Sequence, residues 1–411
     1  MNIGKNSCMQ SVNKIAKIRF KGYDNSLEKK AIGEITTSFS GGTPNTKESI
    51  FWNGTIPWIQ TSDIQKDKLF GVKPQKFISR EGLQNSSAKL IPKNSIAIVT
   101  RVGVGKLAVI EQDYATSQDF LSLLNFNGDT HFLVYSIYRM LQKESTQLQG
   151  TSIKGITKED LLSKKISLPE IDEQSAIGTL FRTLDDLLAN YKDNLANYQS
   201  LKATMLSKMF PKAGQIVPEI RLDGFERKWE KKKLIDLVSP VSRKVKKPSE
   251  PYYRLSIRSH AKGTFKQFVD DPKKIAMDNL FEVKENDLVV NITFAWEHAI
   301  AVASKEDDGL LVSHRFPTFV IDKSDKNFIS IYIKREEFRQ KMDLLSPGGA
   351  GRNRVLNVKD FIKIQMIVPE LKEQQAIGAY FSNLDYLINS HQEKISQLET
   401  LKKKLLKDMF I

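Results

Sequence analysis

From Phe181 onward, large side chains recur at alternating three- and four-residue steps. Phe181, Leu184, Leu188, Tyr191, Leu195, Tyr198, Met205 and Met209 mark the rhythm, with Lys202 keeping its place in it. That spacing predicts a coiled-coil seam. It returns in Phe381, Leu384, Ile388, His391, Ile395, Leu398, Lys402, Leu405 and Met409, with Leu201 and Leu401 placed to cover the flank beside each lysine. Neither segment has an internal Gly or Pro after Gly178 or Gly378, so each is expected to form a helix about 60 Å long at 1.5 Å per residue. A helix lying on its own domain would also bury one face. The length favours pairing the two seams, antiparallel, with two globular units at opposite ends in pseudo-twofold relation.

Shorter apolar runs predict strands at Ile96 to Val99, Leu107 to Ile110, Leu288 to Ile292, Ala299 to Ala303 and Phe316 to Ile321. Gly41-Gly42-Thr43-Pro44, Gly103-Val104-Gly105 and Pro347-Gly348-Gly349 punctuate them as turns.

The two helical segments are copies. Pro169-Glu170-Ile171-Asp172-Glu173-Gln174-Ser175-Ala176-Ile177-Gly178 returns 200 residues later as Pro369-Glu370-Leu371-Lys372-Glu373-Gln374-Gln375-Ala376-Ile377-Gly378, and ungapped extension to Phe210 and Phe410 gives 16 identities in 42 positions. Further echoes precede them. Ile18-Arg19-Phe20-Lys21-Gly22-Tyr23 resembles Ile220-Arg221-Leu222-Asp223-Gly224-Phe225; Asn94 to Val99 aligns with Asn286 to Asn291, and Ser117 to Phe120 with Ser313 to Phe316. The chain therefore reads as α/β with internal repetition. Its expected parts are a lead-in (1–15), a first unit (16–168), a central helix (169–211), a second unit (212–368) and a C-terminal helix (369–411).

Composition narrows the function. The 411 residues carry 63 Lys and Arg against 48 Asp and Glu, a net +15, which favours a polyanionic partner, although many basic proteins bind no nucleic acid. The single cysteine, Cys8, excludes an intrachain disulfide and a cysteine zinc cluster. His131, His260, His298 and His314 are scattered, and His391 reads as a tolerated polar seam residue, so no metal is expected. No leader or membrane span is apparent, and a cytoplasmic location is expected.

Paired basic units suit duplex DNA. In the first, Gly41 to Pro44 and Trp52-Asn53-Gly54-Thr55-Ile56-Pro57-Trp58-Ile59-Gln60-Thr61 combine turn residues with bulky supports. Trp52 and Trp58 are read as packing, and Thr43, Gln60, Thr61 and Asp63 as candidate polar contacts. Arg101, Lys106, Ser117 and Gln118 flank strands, and Lys154 lies in the loop Gly150 to Gly155, itself as readily an ordinary surface connection. In the second unit the candidates are Arg243, Lys244, Lys246 and Lys247, then Tyr253, Arg254, Arg258, His260 and Lys262, with Arg315, Arg352 and Arg354 near loops. Catalysis is not expected. Gly103-Val104-Gly105-Lys106-Leu107 lacks the first glycine of a phosphate loop and the Ser or Thr after its lysine, and no dinucleotide, zinc-protease or nucleophile-elbow motif occurs.

The duplicated Pro-Glu-x-x-Glu-Gln-x-Ala-Ile-Gly starts, the long helices and the Gly-Gly-Thr-Pro and Trp-rich loop together resemble the specificity subunit of type I restriction-modification enzymes over essentially 16–411. The resemblance implies two target-recognition domains, each reading half of an asymmetric, interrupted duplex site. The helices would be spacers that dock two adenine-methylating modification subunits, with ATP-driven motor-nuclease restriction subunits joining. S-adenosylmethionine, ATP and Mg2+ would belong to those partners, this subunit binding no cofactor. Glu173, Gln174, Ile177, Gly178, Phe181, Leu184 and Leu188, matched by Glu373, Gln374, Ile377, Gly378, Phe381, Leu384 and Ile388, would be spacer and partner-interface positions, the glycines allowing close approach. The second unit lacks the Gly-Gly-Thr-Pro and Trp-rich loop, which fits an asymmetric target. An independent two-headed DNA-binding regulator and a structural adaptor remain the alternatives.

Overall fold

The computed structural model describes residues 17–101, 103–147, 155–212, 214–346 and 354–410. The expected lead-in 1–15, the Pro347 to Gly349 turn, most of the Gly150 to Gly155 loop, and the candidates Lys154 and Arg352 lie outside the described residues. Two compact units emerge, one from 1–193 with 393–411, the other from 194–392.

In the first unit the strands are β1 (Glu28–Ala31), β2 (Thr37–Ser40), β3 (Ile56–Ile59), β4 (Lys76–Ile78), β5 (Ser95–Val99), β6 (Leu107–Ile110), β7 (Ala115–Thr116), β8 (Phe120–Leu124) and β9 (Lys165–Leu168). An antiparallel sheet of order β2-β8-β5-β6 forms the frame, β4-β3-β7 an outer sheet, and β1-β9 a two-stranded ribbon. Helix α1 (Thr130–Gln147) precedes β9, and α2 (Ile171–Lys208) follows it. β5 and β8 are buried along their whole length, which is why they read as continuous apolar runs rather than alternating ones.

In the second unit the strands are β10 (Glu230–Lys233), β11 (Ser239–Val241), β12 (Lys244–Lys246), β13 (Tyr252–Ile257), β14 (Thr264–Val269), β15 (Asn279–Glu282), β16 (Asp287–Val290), β17 (Ile300–Val302), β18 (Leu311–Val312), β19 (Thr318–Val320) and β20 (Gln365–Val368). Helices α3 (Lys326–Tyr332) and α4 (Glu336–Leu344) belong to it, as does α5 (Leu371–Met409) as far as Gln392. The frame repeats as β11-β19-β16-β17 and the ribbon as β10-β20, whereas the outer sheet grows to five strands, β12-β15-β18-β13-β14. Register confirms the repeat. Ile96 pairs with Leu123 and Leu288 with Phe319, and Asn94 (φ 63°) and Asn286 (φ 69°) both turn into their strands through the left-handed conformation asparagine tolerates.

The repeated decapeptide fastens each frame to its long helix. Arg19 donates from Nε and Nη2 to the Glu173 carboxylate at 3.0 and 2.5 Å, and Arg221 to Glu373 at 2.9 and 2.6 Å. The Ile-Arg and Glu-Gln echoes, about 150 residues apart in the chain, are thus two halves of one ion pair, with Glu173 and Glu373 each only 1% exposed. Gln174 Nε2 donates to the Pro169 carbonyl (2.8 Å), while its Oε1 accepts from Asp129 N–H (3.0 Å); Asp129 in turn accepts from Phe132 N–H (2.8 Å), capping α1. Gln374, Pro369, Asp325 and Phe328 repeat the relay. Helix and cap lie so close that a Cβ on Gly178 would stand 2.6 Å from Asp129 Oδ1 and 2.8 Å from Phe132 N.

Within each unit two helix halves run antiparallel. Lys402 pairs with Asp185 in the first and Lys202 with Asp385 in the second, so the lysines in the apolar seam are answered by aspartates that recur at the same offset. Burial follows the predicted positions: Phe181, Leu184 and Leu188 are buried, as are Phe381, Leu384 and Ile388. Phe181 packs on Phe410 (5.4 Å) in the first core, and Phe381 on Phe210 (6.3 Å) in the second. Leu201 and Leu401 differ from expectation, remaining 38% and 44% exposed rather than covering the seam. His391 sits edge-on to Tyr198 at 5.2 Å.

Two outcomes follow for stability. Gly178→Ala should lower the first unit's urea midpoint, because a crowding cost of about 1–3 kcal/mol exceeds the helix-propensity gain of about 1 kcal/mol; Ser175→Ala, on the exposed face, should leave it unchanged. Glu373→Gln should destabilise the second unit by about 3–5 kcal/mol by stranding Arg221, while the double change Arg221→Met/Glu373→Met recovers most of the loss, as read by the same unfolding curves.

Candidate nucleic-acid interface

The first unit's candidates converge where strands end. β3 runs parallel to β7, and Ser117 N–H donates to the Ile59 carbonyl (2.9 Å), bringing Gln60 and Thr61 beside Ser117 and Gln118. Gly42 N–H donates to the Thr116 carbonyl (2.9 Å). The chain at Gly41 crosses so tightly that a Cβ would overlap the Ser117 carbonyl, a close approach only glycine permits. Trp58, 5% exposed, donates from Nε1 to the Gly42 carbonyl (3.0 Å) and meets Trp52 edge-on at 4.9 Å. The tryptophans therefore brace the Gly-Gly-Thr-Pro turn from behind.

Two further turns complete this edge. Asp63 N–H donates to the Gln60 carbonyl (2.9 Å), and Asp63 Oδ2 accepts from Gln60 N–H (3.0 Å). The β5–β6 turn carries Gly103 (φ 87°) and Gly105 (φ 90°), and a Cβ on Gly103 would lie 3.1 Å from the Thr61 methyl. Arg101 and Gln118 are placed here with Thr43, Gln60 and Lys106; Arg101 is exposed, and Thr43, Gln60, Lys106 and Gln118 are at least partly accessible. Asp63 and Ser117 are corrections to the expected polar contacts. Asp63 is buried and closes its own turn, and Ser117 is buried against Asp119 (3.4 Å). Thr61 Oγ1 is buried as well, which leaves that residue its backbone; its carbonyl accepts from Lys106 Nζ at 3.5 Å.

In the second unit the basic run divides by the strand alternation of β12. Lys244 and Lys246 are exposed, whereas Arg243 grips the buried Asp287 with both Nη atoms and Lys247 Nζ donates to the Ile275 carbonyl at 2.6 Å. Hydrogen bonding to Asp287 raises the Arg243 pKa, so this guanidinium is engaged within its own unit. Arg354 is likewise engaged: Nε donates to the Ser346 carbonyl and Nη2 to Asp343 Oδ1, both at 2.8 Å, and the guanidinium lies 5.8 Å from the Trp296 ring. These two corrections share a cause. A guanidinium beside a buried or loop-capping acceptor is already satisfied within the fold.

The β13–β14 hairpin gathers the remaining candidates. Tyr253 and Phe268, 53% and 55% exposed, face each other at 5.0 Å across the ladder. On the opposite face Arg254 Nε donates to Gln267 Oε1 (2.9 Å), and the Arg258 guanidinium lies 5.0 Å over Phe265. His260 (φ 61°) and the exposed Lys262 occupy the connecting turn. Sequence reading missed Phe265, Lys266, Gln267 and Phe268, all exposed on the edge strand β14. A signal was available in the run Thr264 to Val269, which faces Tyr252 to Ile257 across a Gly263 turn. Arg315 is exposed on a separate turn closed by Phe316 N–H to Ser313 O (3.0 Å).

The residues expected at a partner interface are placed differently. Glu173, Gln174, Ile177, Gly178, Phe181, Leu184 and Leu188, with Glu373, Gln374, Ile377, Gly378, Phe381, Leu384 and Ile388, are all buried within their own units. They form the clamp and core described above and present no free surface there. Among the described residues no group of three or more His, Cys, Asp or Glu is placed to hold a metal ion, and no described helix is long and apolar enough to cross a membrane.

Comparison with known proteins sharpens this picture. The chain is 32% identical over 180 residues to the EcoR124I/EcoR124II specificity subunit of Escherichia coli, covering 41% of this chain and 43% of that one. It is 25% identical over 226 residues to the MjaIX specificity subunit of Methanocaldococcus jannaschii, covering 52% and 51%. The chain thus spans about half the length of these curated relatives. Its fold is similar to the crystal structure of a type I restriction-modification S subunit from M. genitalium, with a TM-score of 0.57 at 15% identity over 96% of this chain and 99% of that one. A family profile described as "Type I restriction modification DNA specificity domain" matches residues 25–197 and 226–400, one stretch for each frame, and the chain belongs to that family.

Proposed function

We propose that the chain is a specificity subunit that binds a bipartite, asymmetric duplex DNA site and directs adenine methylation and restriction by partner subunits, without catalysing either. The observation that carries this reading is the combination of one repeated frame with two different exposed edges. The first presents Arg101 and Gln118 on turns between buried strands; the second presents Arg258, Lys262 and Lys266 on a hairpin. Identical edges would suit a symmetric site. Residues 16–168 and 212–368 act as the two target-recognition domains, and 169–211 and 369–411 as spacers between half-sites.

The partners in this reading are duplex DNA, two modification subunits and the restriction subunits. S-adenosylmethionine, ATP and Mg2+ serve those subunits, this chain holding no cofactor of its own, and the assembly works in the cytoplasm. Base flipping for adenine methylation falls to the modification subunits. Since Glu173, Gln174, Ile177 and Gly178 and their counterparts in the second copy are internal, partner docking falls to exposed positions of α2 and α5.

Reconstitution tests the reading. Omitting this chain should abolish site-specific methylation; unchanged methylation without it would sink the proposal. Duplex binding that needs no modification subunits would favour the regulator, and no duplex binding with or without them the adaptor.

At the level of single groups, Arg258→Ala/Lys262→Ala/Lys266→Ala should weaken duplex binding. The slope of log K against log salt concentration should flatten by about 0.9 for each phosphate that is no longer neutralised. Arg243→Ala should instead lower the second unit's unfolding midpoint, because it strands Asp287. Filter binding across a salt series and denaturant unfolding read the two effects separately.

A further inference from the structure

The two units part company where the helix behind the capping aspartate meets the long helices. In the first unit Tyr135 is fully buried and its hydroxyl donates to Asp185 Oδ2 at 2.6 Å, with the Lys402 ammonium 5.6 Å from the ring. Tyr138, one turn on, is buried and donates to Asp67 at 2.7 Å. Tyr135 fills the space beside the Lys402–Asp185 pair, and Tyr138 packs one turn further along α1.

Counting from the caps Asp129 and Asp325, the second unit has Ile331 and Lys334 at these two positions. The equivalent Lys202–Asp385 pair is present, but no ring closes over it. A cavity of about 330 Å³ remains, floored by Leu206 and Ile331 and walled by Lys202, Lys334, Arg335 and Asp385. That volume lies at the small end of the range for ligand pockets.

Its charges do not balance. Asp385 is taken by Lys202, Glu337 by Arg335 and Glu336 by Arg339, while Lys212 at the rim is answered by Glu219. Lys334 has no acidic partner within ion-pair distance among the described residues. Lys334 is itself exposed; desolvation by its surroundings and then the neighbouring Lys202 lower its pKa from the usual lysine value, and Asp385 opposes the shift. An ammonium without an ion-pair partner, set beside an apolar floor, is complementary to an anion with an apolar body.

We propose that this cavity binds a small organic anion, its acidic group seated on Lys334 beside Lys202 and its apolar body against Ile331 and Leu206. The site belongs to the second unit alone, since Tyr135 and Tyr138 occupy the corresponding space in the first. It is separate from the hairpin and turns assigned to DNA, and its test does not involve DNA.

Calorimetric titration of the full chain at constant ionic strength provides that test, with benzoate and phenyl phosphate as probes and benzyl alcohol and inorganic phosphate as partial ligands. Saturable binding of at least one aromatic anion is expected, about tenfold or more tighter than either partial ligand; whichever anion binds tighter identifies the acid group. Lys334→Gln should weaken binding about tenfold, and Ile331→Tyr/Lys334→Tyr, which transplants the first unit's filling, should abolish it. No saturable binding of either anion, or affinity unchanged in Lys334→Gln, would overturn the proposal. If the double tyrosine variant fails to fold, Lys334→Gln decides alone.

Discussion

The buried ion pairs Arg19–Glu173 and Arg221–Glu373 are the constraint on which each unit depends. A carboxylate only 1% exposed is costly without a partner, and a two-pronged guanidinium supplies both the charge and the geometry it requires. The pair joins the segment entering the frame to the first turn of the long helix, so the helix cannot slide or rotate without stranding a charge. That restriction makes the rest possible. Gln174 then reaches both the Pro169 carbonyl and the cap of α1, Gly178 lets that cap approach, and Phe181 enters the core at a defined angle. A hydrophobic replacement of both partners could match the stability; what the ion pair adds is a single permitted register.

With the frame so fixed, the largest differences between the units lie in the outer sheets. The four-stranded sheets share strand order and pairing, whereas the outer sheets have three strands in one unit and five in the other. The extra strands place aromatic and basic side chains on a hairpin edge, where the first unit offers glycine-tight turns instead. The proposed reading of two unlike half-sites requires this division: a common support that sets position, and separate edges that set specificity. The Tyr135-to-Ile331 and Tyr138-to-Lys334 differences show the same tolerance inside a unit, since the Lys–Asp pair survives while the space beside it changes character.

Much of the fold was legible in the chain because its strongest signals are periodic. The seam and strands such as Leu107–Ile110 depend on apolar spacing and the repeat on residue identity at a fixed offset, and the elements stand where the pattern put them. Polar residues were less legible because a sequence shows their type and not their partner. Glu173 and Gln174 look like surface groups until Arg19 and Asp129 are brought to them. Arg243 looks like its neighbour Lys244 until strand alternation turns one toward Asp287 and the other outward. Asp63 was read as a contact because a turn-closing aspartate and a base-reading one have the same composition around them. The hairpin strand Thr264–Val269 was passed over since its aromatic residues, exposed on both faces, break the usual alternation of buried and exposed.

The central claim is that one repeated frame carries two different reading edges. It is tested most directly by mapping methylated adenines on DNA modified by the complex reconstituted with this chain. The account predicts two unlike half-sites separated by a gap of constant length and indifferent sequence. A single contiguous site, or two identical half-sites, would contradict it.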